Sequence, residues 1–284
     1  MADIDTSSLF SVNGLVAVVT GGGTGIGLMI AQALEANGAT VYILGRRLEV
    51  LEKAAGTAKN GKIHPIKADV TSKSDLSAAV DQIAQKSGYV NLVVANSGIS
   101  GPTFQGLEKG ASISDYQKFL LGWNVDDFNK TYAVNTTAVF YTIIAFLDLL
   151  DKGNKAGNVE QKSQVIAVSS IGAFNRIPLA GYAYGSSKAA VVHMMKQFAT
   201  NLVTYDIRSN VIAPGFFPSQ MTEDVIQQRG RDAWPKDVIP EQRVGDVKDM
   251  AGAVLFLTSR AGAYINGNTL IIDGGRLSIL PATY

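Results

Sequence analysis

A short apolar run, residues 15–19, empties into Thr20-Gly21-Gly22-Gly23-Thr24-Gly25-Ile26-Gly27, and residues 26–37 then carry helical periodicity. That order of strand, glycine-rich turn and helix constrains the chain more than any other feature. Glycines let a turn bring its backbone N–H groups close to a ligand. The helix that follows adds unpaired N–H groups and partial positive charge at the same spot. A dinucleotide pyrophosphate is the group such a turn suits. Gly38 then stops the helix.

The same alternation continues downstream. Apolar runs at 40–44, 63–67, 92–95, 164–168, 211–213 and 269–272 read as strands. They are continuous rather than alternating, as strands buried on both faces are. Helical patterns at 48–58 and from 73 to 87 separate them, the second opened by Ser72-Lys73-Ser74-Asp75, which reads as a capping box. The expected architecture is α/β: a single Rossmann-type, doubly wound parallel sheet with helices on both faces, spanning residues 1–284 as one domain. Two stretches break the rhythm. Residues 100–123 are glycine-rich and polar. Residues 216–243 hold Pro218, Pro235 and Pro240 among Phe216, Phe217, Trp234, Val238 and Ile239, and read as an apolar substrate lid.

Bulk properties narrow the function. Basic and acidic residues number 25 and 24, for a formal net charge of +1, so no nucleic-acid partner is expected. With no cysteine and only His64 and His193, no metal site is expected either. The first residues, Met1-Ala2-Asp3-Ile4-Asp5, are acidic and lack a signal-peptide pattern. The most apolar run, 139–150, is shorter than the roughly 20 residues of a spanning helix. A cytoplasmic protein with no membrane partner is the expectation.

Chemistry enters at Tyr184-Gly185-Ser186-Ser187-Lys188, with Ser169-Ser170 upstream. A spacing of four places the phenol and the amine on one helix face, about a turn apart. An ammonium beside a phenol lowers its pKa from roughly 10, and a neighbouring serine hydroxyl can bind a carbonyl oxygen. Such a set can pass a proton to an oxygen gaining negative charge. Tyr182 is followed four residues later by Ser186 and cannot form the pair. After the second strand stands Gly45-Arg46-Arg47. No carboxylate is there to repel a ribose 2′-phosphate, and guanidinium is suited to bind one, so NADP(H) is the expected cofactor.

The turn reads Thr-Gly-x-x-x-Gly-x-Gly, and with the tyrosine and lysine it resembles the short-chain dehydrogenase/reductase family over nearly the whole chain. The resemblance implies Ser170, Tyr184 and Lys188 as catalytic centre, with Asn135 positioning a water near the lysine. For the cofactor it implies Gly21, Thr24, Gly25, Ile26 and Gly27 at the pyrophosphate, and Arg46 and Arg47 at the 2′-phosphate. Asp69 and Val70 would meet the adenine, and Asn96 and Gly98 would stand at the end of the fourth strand. Pro214, Gly215 and Thr222 would flank the nicotinamide, with Ser219 competing for the last place, and Tyr184 and Lys188 would meet its ribose. The sequence departs from the family pattern at Ala95 and Ser97, and Ser170 lies one residue further from the tyrosine than in many relatives, with Ser169 as alternative.

The implied activity is NADPH-dependent, reversible reduction of a ketone, as in reductases of the 3-oxoacyl-carrier-protein and gluconate 5-dehydrogenase type. A hydrophobic or polyketide-like metabolite or a 3-oxoacyl thioester would serve as the small-molecule carbonyl substrate. A nonredox NADP-binding regulator, or a dehydratase or epimerase on the same machinery, is the alternative. The family's habits imply a homodimer or homotetramer built on long helices. The apolar tail at 277–281 is expected to dock on its own or a neighbouring subunit.

Overall fold

The computed structural model describes residues 5–284; Met1–Ile4, the start of the acidic N-terminus, lie outside the described residues. Seven strands are β1 (Val16–Thr20), β2 (Thr40–Gly45), β3 (Ile63–Lys67), β4 (Leu92–Ala95), β5 (Gln164–Val168), β6 (Arg208–Pro214) and β7 (Thr269–Ile272). They form one sheet in the order β3-β2-β1-β4-β5-β6-β7, parallel throughout. The direction of winding reverses between β1 and β4, the place where sheets of this kind open a ligand crevice at their carboxyl ends.

The helices are α1 (Thr6–Leu9), α2 (Gly25–Ala36), α3 (Leu48–Ala55), α4 (Lys73–Ser87), α5 (Ile113–Leu121), α6 (Val125–Tyr132), α7 (Ala138–Ala156), α8 (Tyr182–Asn201), α9 (Glu223–Arg229) and α10 (Val247–Thr258). Successive strand side chains point to opposite faces. Ala17, Val19, Val41 and Ile43 therefore pack with Ile30 and Leu34 of α2 and Met250 and Val254 of α10. Val16, Val18, Tyr42 and Leu44 pack with Ile83 of α4, Ile143 and Phe146 of α7 and Val191 and Met195 of α8. Both faces are covered, which is why the strands read as unbroken apolar runs.

Three expectations are corrected. The sixth strand begins at Arg208, three residues earlier than its apolar run. Arg208, Ser209 and Asn210 are polar yet buried, because each finds internal partners. Arg208 donates to Gln164 Oε1 and to the Gly262 and Ile265 carbonyls at 3.0 Å each, and Asn210 Nδ2 donates to Gln164 Oε1 at 2.7 Å. Second, the capping box of α4 is half formed. The Ser72 hydroxyl accepts from Asp75 N–H, but the Asp75 carboxylate accepts from Asp69 N–H at 2.9 Å, while Ser72 N–H goes to the Asp69 carbonyl. Third, the helix expected over 48–58 stops at Ala55, ahead of Gly56.

The apolar run 139–150 lies within a continuous helical stretch, Val125–Ala156, of 32 residues. By length and composition this stretch is sufficient to cross a membrane. Val139, Ile143, Phe146 and Leu150 on one of its faces are instead packed in the core of the sheet. A π-helical turn at Ala133–Thr137 joins α6 to α7.

Candidate active site

The glycine turn sits at the carboxyl end of β1, and its shape depends on the absence of side chains. Gly21 and Gly25 have φ of 64° and 52°, left-handed values that favour glycine. A Cβ on Gly27 would run into the Gly21 carbonyl and Asn96 Nδ2, so α2 can close on the turn only with glycine there. Asn96 is the tie across the switch point. Its Nδ2 donates to the Thr20 carbonyl at 2.9 Å, and its backbone N–H donates to Thr20 Oγ1 at 3.0 Å. Thr24 is the N-cap residue of α2, so the helix N-terminus points at the same space.

At the end of β2, Arg46 and Arg47 are both exposed on the cleft rim. Arg47 donates to Gln220 Oε1 at 3.3 Å, while Arg46 has no ion-pair partner among the described residues. At the end of β3, the Asp69 carboxylate accepts from Thr71 N–H and Oγ1 at 2.9 and 2.7 Å, and Val70 packs nearly buried behind it. These fixed groups close the far end of one cleft of about 1440 Å³. Single ligand pockets are usually about 300–1,000 Å³, so this one exceeds the usual range.

Ser170, two residues after β5, and Tyr184 and Lys188 on α8 line that cleft. Ser169, the alternative serine, is buried and donates its hydroxyl to the Lys188 carbonyl at 2.9 Å, which leaves Ser170 as the serine available to the cleft. The Ser170 hydroxyl accepts from Gly172 N–H at 3.0 Å. Burial pushes the Tyr184 phenol above its usual value, and the Ser170 hydroxyl acting as hydrogen-bond partner pulls the other way. The Lys188 ammonium donates to the Val168 carbonyl at 2.9 Å, and burial pulls its pKa down to about 8. It lies 5.9 Å from the centroid of the Tyr184 ring. The main counterweight to burial at the tyrosine is thus the serine rather than the lysine.

Asn135 stands apart from the other sequence-derived positions, since it does not line the cleft. It is fully buried in the π turn, with Nδ2 bonded to the Ile99 carbonyl and Ser187 Oγ and Oδ1 bonded to Ile99 N–H. Both Nδ2 hydrogens are thus committed, and Oδ1 holds the loop behind Gly98 through the Ile99 N–H. A Cβ on Gly98 would lie 3.3 Å from both Asn135 Oδ1 and Lys188 Nζ, which shows how closely the loop passes over the amine.

The segment 216–243 is only partly the apolar lid expected from its composition. Trp234, Ile239 and Val244 are buried in a small core of their own, with Phe216 packed 5.4 Å from Trp234. Phe217 is buried with the main core. A two-point ion pair from Arg243 to Asp249 bolts this unit to α10 and holds the Asp249 carboxyl down at about 2. Trp234, Val238 and Ile239 do not reach the cleft; Met221, Thr222 and Val225, around the start of α9, do. Pro214 and Gly215 line it too, and a Cβ on Gly215 would press on Asp273. The Thr222 hydroxyl donates to the Phe217 carbonyl at 2.6 Å and accepts from Ser219 N–H, while Ser219 packs against Gly25 of the glycine turn.

Sequence reasoning missed the other wall. Phe104, from the polar stretch after β4, meets Tyr182 and Trp123 edge-on at 5.6 Å each and stacks on Tyr116 at 6.2 Å. The hydroxyls of Tyr116 and Tyr182 are hydrogen-bonded at 2.9 Å. No periodicity announces this cluster, because its members come from three separate segments. The tail closes the same side and docks on its own chain. Arg176 N–H donates to the Pro281 carbonyl at 2.8 Å, Thr283 N–H to the Phe174 carbonyl at 2.9 Å, and Tyr284 meets Phe174 edge-on at 5.3 Å.

The chain matches the family described as Enoyl-(Acyl carrier protein) reductase over residues 21–276. It is 52% identical to a short-chain dehydrogenase/reductase, PhomF, of Diaporthe leptostromiformis, over 98% of this chain and 96% of that protein. Its fold is similar to the Pseudomonas aeruginosa RhlG/NADP active-site complex, with a TM-score of 0.79 and 32% identity, covering 94% of this chain and 98% of that one. A 3-ketoacyl-(acyl-carrier-protein) reductase of Brucella melitensis complexed with NADH is similar at a TM-score of 0.76 and 28% identity, covering 94% and 99%.

Proposed function

The chain belongs to the short-chain dehydrogenase/reductase family of oxidoreductases, and we propose that it is an NADPH-dependent carbonyl reductase acting reversibly on a hydrophobic ketone. One observation carries this reading: a single cleft holds Ser170, Tyr184 and Lys188 and a side-chain-free glycine turn with an unpaired Arg46 at its far end.

The residues present fit a phosphorylated dinucleotide. The N–H groups of the glycine turn and the N-terminus of α2 would hold its pyrophosphate. Arg46, aided by Arg47, would hold the 2′-phosphate by charge-assisted hydrogen bonds, and Asp69 and Val70 would bound the adenine. Asn96 fixes the turn, and Gly98 lets the backbone after β4 pass close to Lys188. Pro214, Gly215 and the Ser219–Thr222 pair would border the nicotinamide, and Lys188 would bond its ribose hydroxyls. When bound, NADPH supplies hydride to the carbonyl carbon.

The protein's own task is the proton. Tyr184, whose phenol burial holds above its ordinary value, donates its proton to the carbonyl oxygen as negative charge develops there. Ser170 donates a hydrogen bond to the same oxygen and so orients the carbonyl beside the phenol. In the reverse direction the phenolate takes the alcohol proton. Asn135 acts through the loop it holds. The substrate side, with exposed Ile177, Leu179, Met221 and Val225, suits an apolar ketone. The NADP complex of the similar Pseudomonas protein supports the cofactor choice. The same reading has the chain working as one domain in the cytoplasm, without nucleic acid or membrane. Half-exposed Phe140 and Ile144 of α7 would serve a homodimer or homotetramer.

The test is NADPH oxidation with a panel of apolar ketones, alongside Tyr184→Phe. The variant is expected to bind NADPH as the parent does and to lose at least about a hundredfold in turnover. Near-parent turnover would remove the acid role, and NADPH binding with no ketone turned over by the parent would favour a regulatory binder.

A further inference from the structure

From the corner formed by Phe104 and Tyr182, we infer that the substrate is a planar aromatic ketone carrying an oxygen substituent away from its carbonyl. This rests on the reductase reading above and narrows it to a substrate class. Both rings line the cleft, and they stand 5.6 Å apart at 67°, close to perpendicular. A flat aromatic body placed in such a corner can lie against the face of one ring while meeting the edge of the other. Those are the two arrangements that aromatic pairs prefer. A flexible acyl chain gains no such geometry.

The corner is braced rather than loose. Trp123 is edge-on to Phe104 and lies 6.3 Å from Tyr182, and Tyr116 is stacked on Phe104. Bracing holds Phe104 and Tyr182 in place before a ligand arrives, which reduces the ordering cost on binding.

The phenol pair supplies the polar half of the argument. Tyr116 and Tyr182 share one hydrogen bond at 2.9 Å, so one of their two hydroxyl protons is spent and one remains. Tyr182 lines the cleft and is 46% exposed, so with Tyr116 as the donor within the pair the spare proton is that of Tyr182, on the cleft side. Lys130 and Arg176 also line this side. A phenol, methoxy or phenolate oxygen on the aromatic body would be recognised there.

The probes are a hydroxytetralone, unsubstituted tetralone and a straight-chain β-keto ester, each assayed with NADPH. The parent is expected to favour the hydroxytetralone over the keto ester by at least about tenfold in kcat/KM. Phe104→Ala should raise KM for both tetralones at least about tenfold and leave the keto ester within about twofold. Tyr182→Phe keeps the ring and should erase only the advantage of hydroxytetralone over tetralone. Equal kcat/KM for aromatic and straight-chain probes, or equal losses for both in Phe104→Ala, would overturn the inference while leaving the reductase reading intact. Calorimetric binding of hydroxytetralone to the NADP⁺-loaded protein decides the matter without turnover. Binding weakened tenfold by Phe104→Ala supports the corner; no binding to the parent overturns it.

Discussion

Asn135 clasps the peptide of Ile99 from both sides, accepting its N–H at 2.8 Å and donating to its carbonyl at 3.0 Å. This is a backbone pairing performed by a side chain, in the one π-helical turn among the described residues. Asn135→Ala would leave both groups of Ile99 without that partner, at about 1–3 kcal/mol for each buried group left unsatisfied. Thermal denaturation should show a fall of at least roughly 4 °C. Asn135→Asp keeps the acceptor but loses the donor, and should also be destabilised. An unchanged midpoint in both variants would show that the clasp contributes nothing.

Arg46 offers an exposed guanidinium with no ion-pair partner among the described residues. Arg46→Asp places a carboxylate where the 2′-phosphate would sit and where a ribose diol could be bound instead. The ratio of NADPH to NADH affinity, read by titration, should fall at least about a hundredfold. An unchanged ratio would assign phosphate recognition elsewhere.

Lys188 should give the pH profile its alkaline limb. Burial depresses its pKa from 10.5 to about 8, whereas burial raises that of Tyr184. As pH rises the amine therefore loses its proton before the phenol does. kcat/KM for the coenzyme reports the free enzyme and should decline with a midpoint near 8. The stability effect has the opposite sense. Between about 8 and 10.5 the unfolded chain holds a proton that the native amine has released, so this group's contribution to stability rises with pH across that window. Lys188→Met should abolish both trends.

Residues 281–284 brace the loop that follows Ser170 through the Arg176–Pro281 and Thr283–Phe174 backbone hydrogen bonds. Deleting them should raise KM for a ketone severalfold, with coenzyme affinity unchanged. If steady-state kinetics show no change in KM, the tail is ornamental to the site.

The sheet and the glycine-turn end of the cleft were legible in the sequence because both depend on local patterns. Continuous apolar runs mark strands buried on two faces, and glycines such as Gly27 mark places where a Cβ would collide. Tyr184 and Lys188 share a helix face for the same local reason. What escaped was set by contacts between distant segments. Arg208 belongs to a strand because Gln164 and two carbonyls receive its guanidinium, and no pattern at 208 reveals that. Trp234 and Ile239 looked like lid residues by composition, yet they fill a core of their own. The aromatic corner joins residues 104, 116, 123 and 182 across three segments, and the polar sequence around Phe104 gave no hint of it.

The chain contains two tryptophans, and each stands behind an aromatic ring that lines the cleft. Trp123 is edge-on to Phe104, while Trp234 is sealed under Phe216. Replacing either with phenylalanine leaves a protein whose tryptophan emission comes from one of these two places alone. Ligand arrival in the cleft can thus be followed at each place in stopped-flow, with no extrinsic dye.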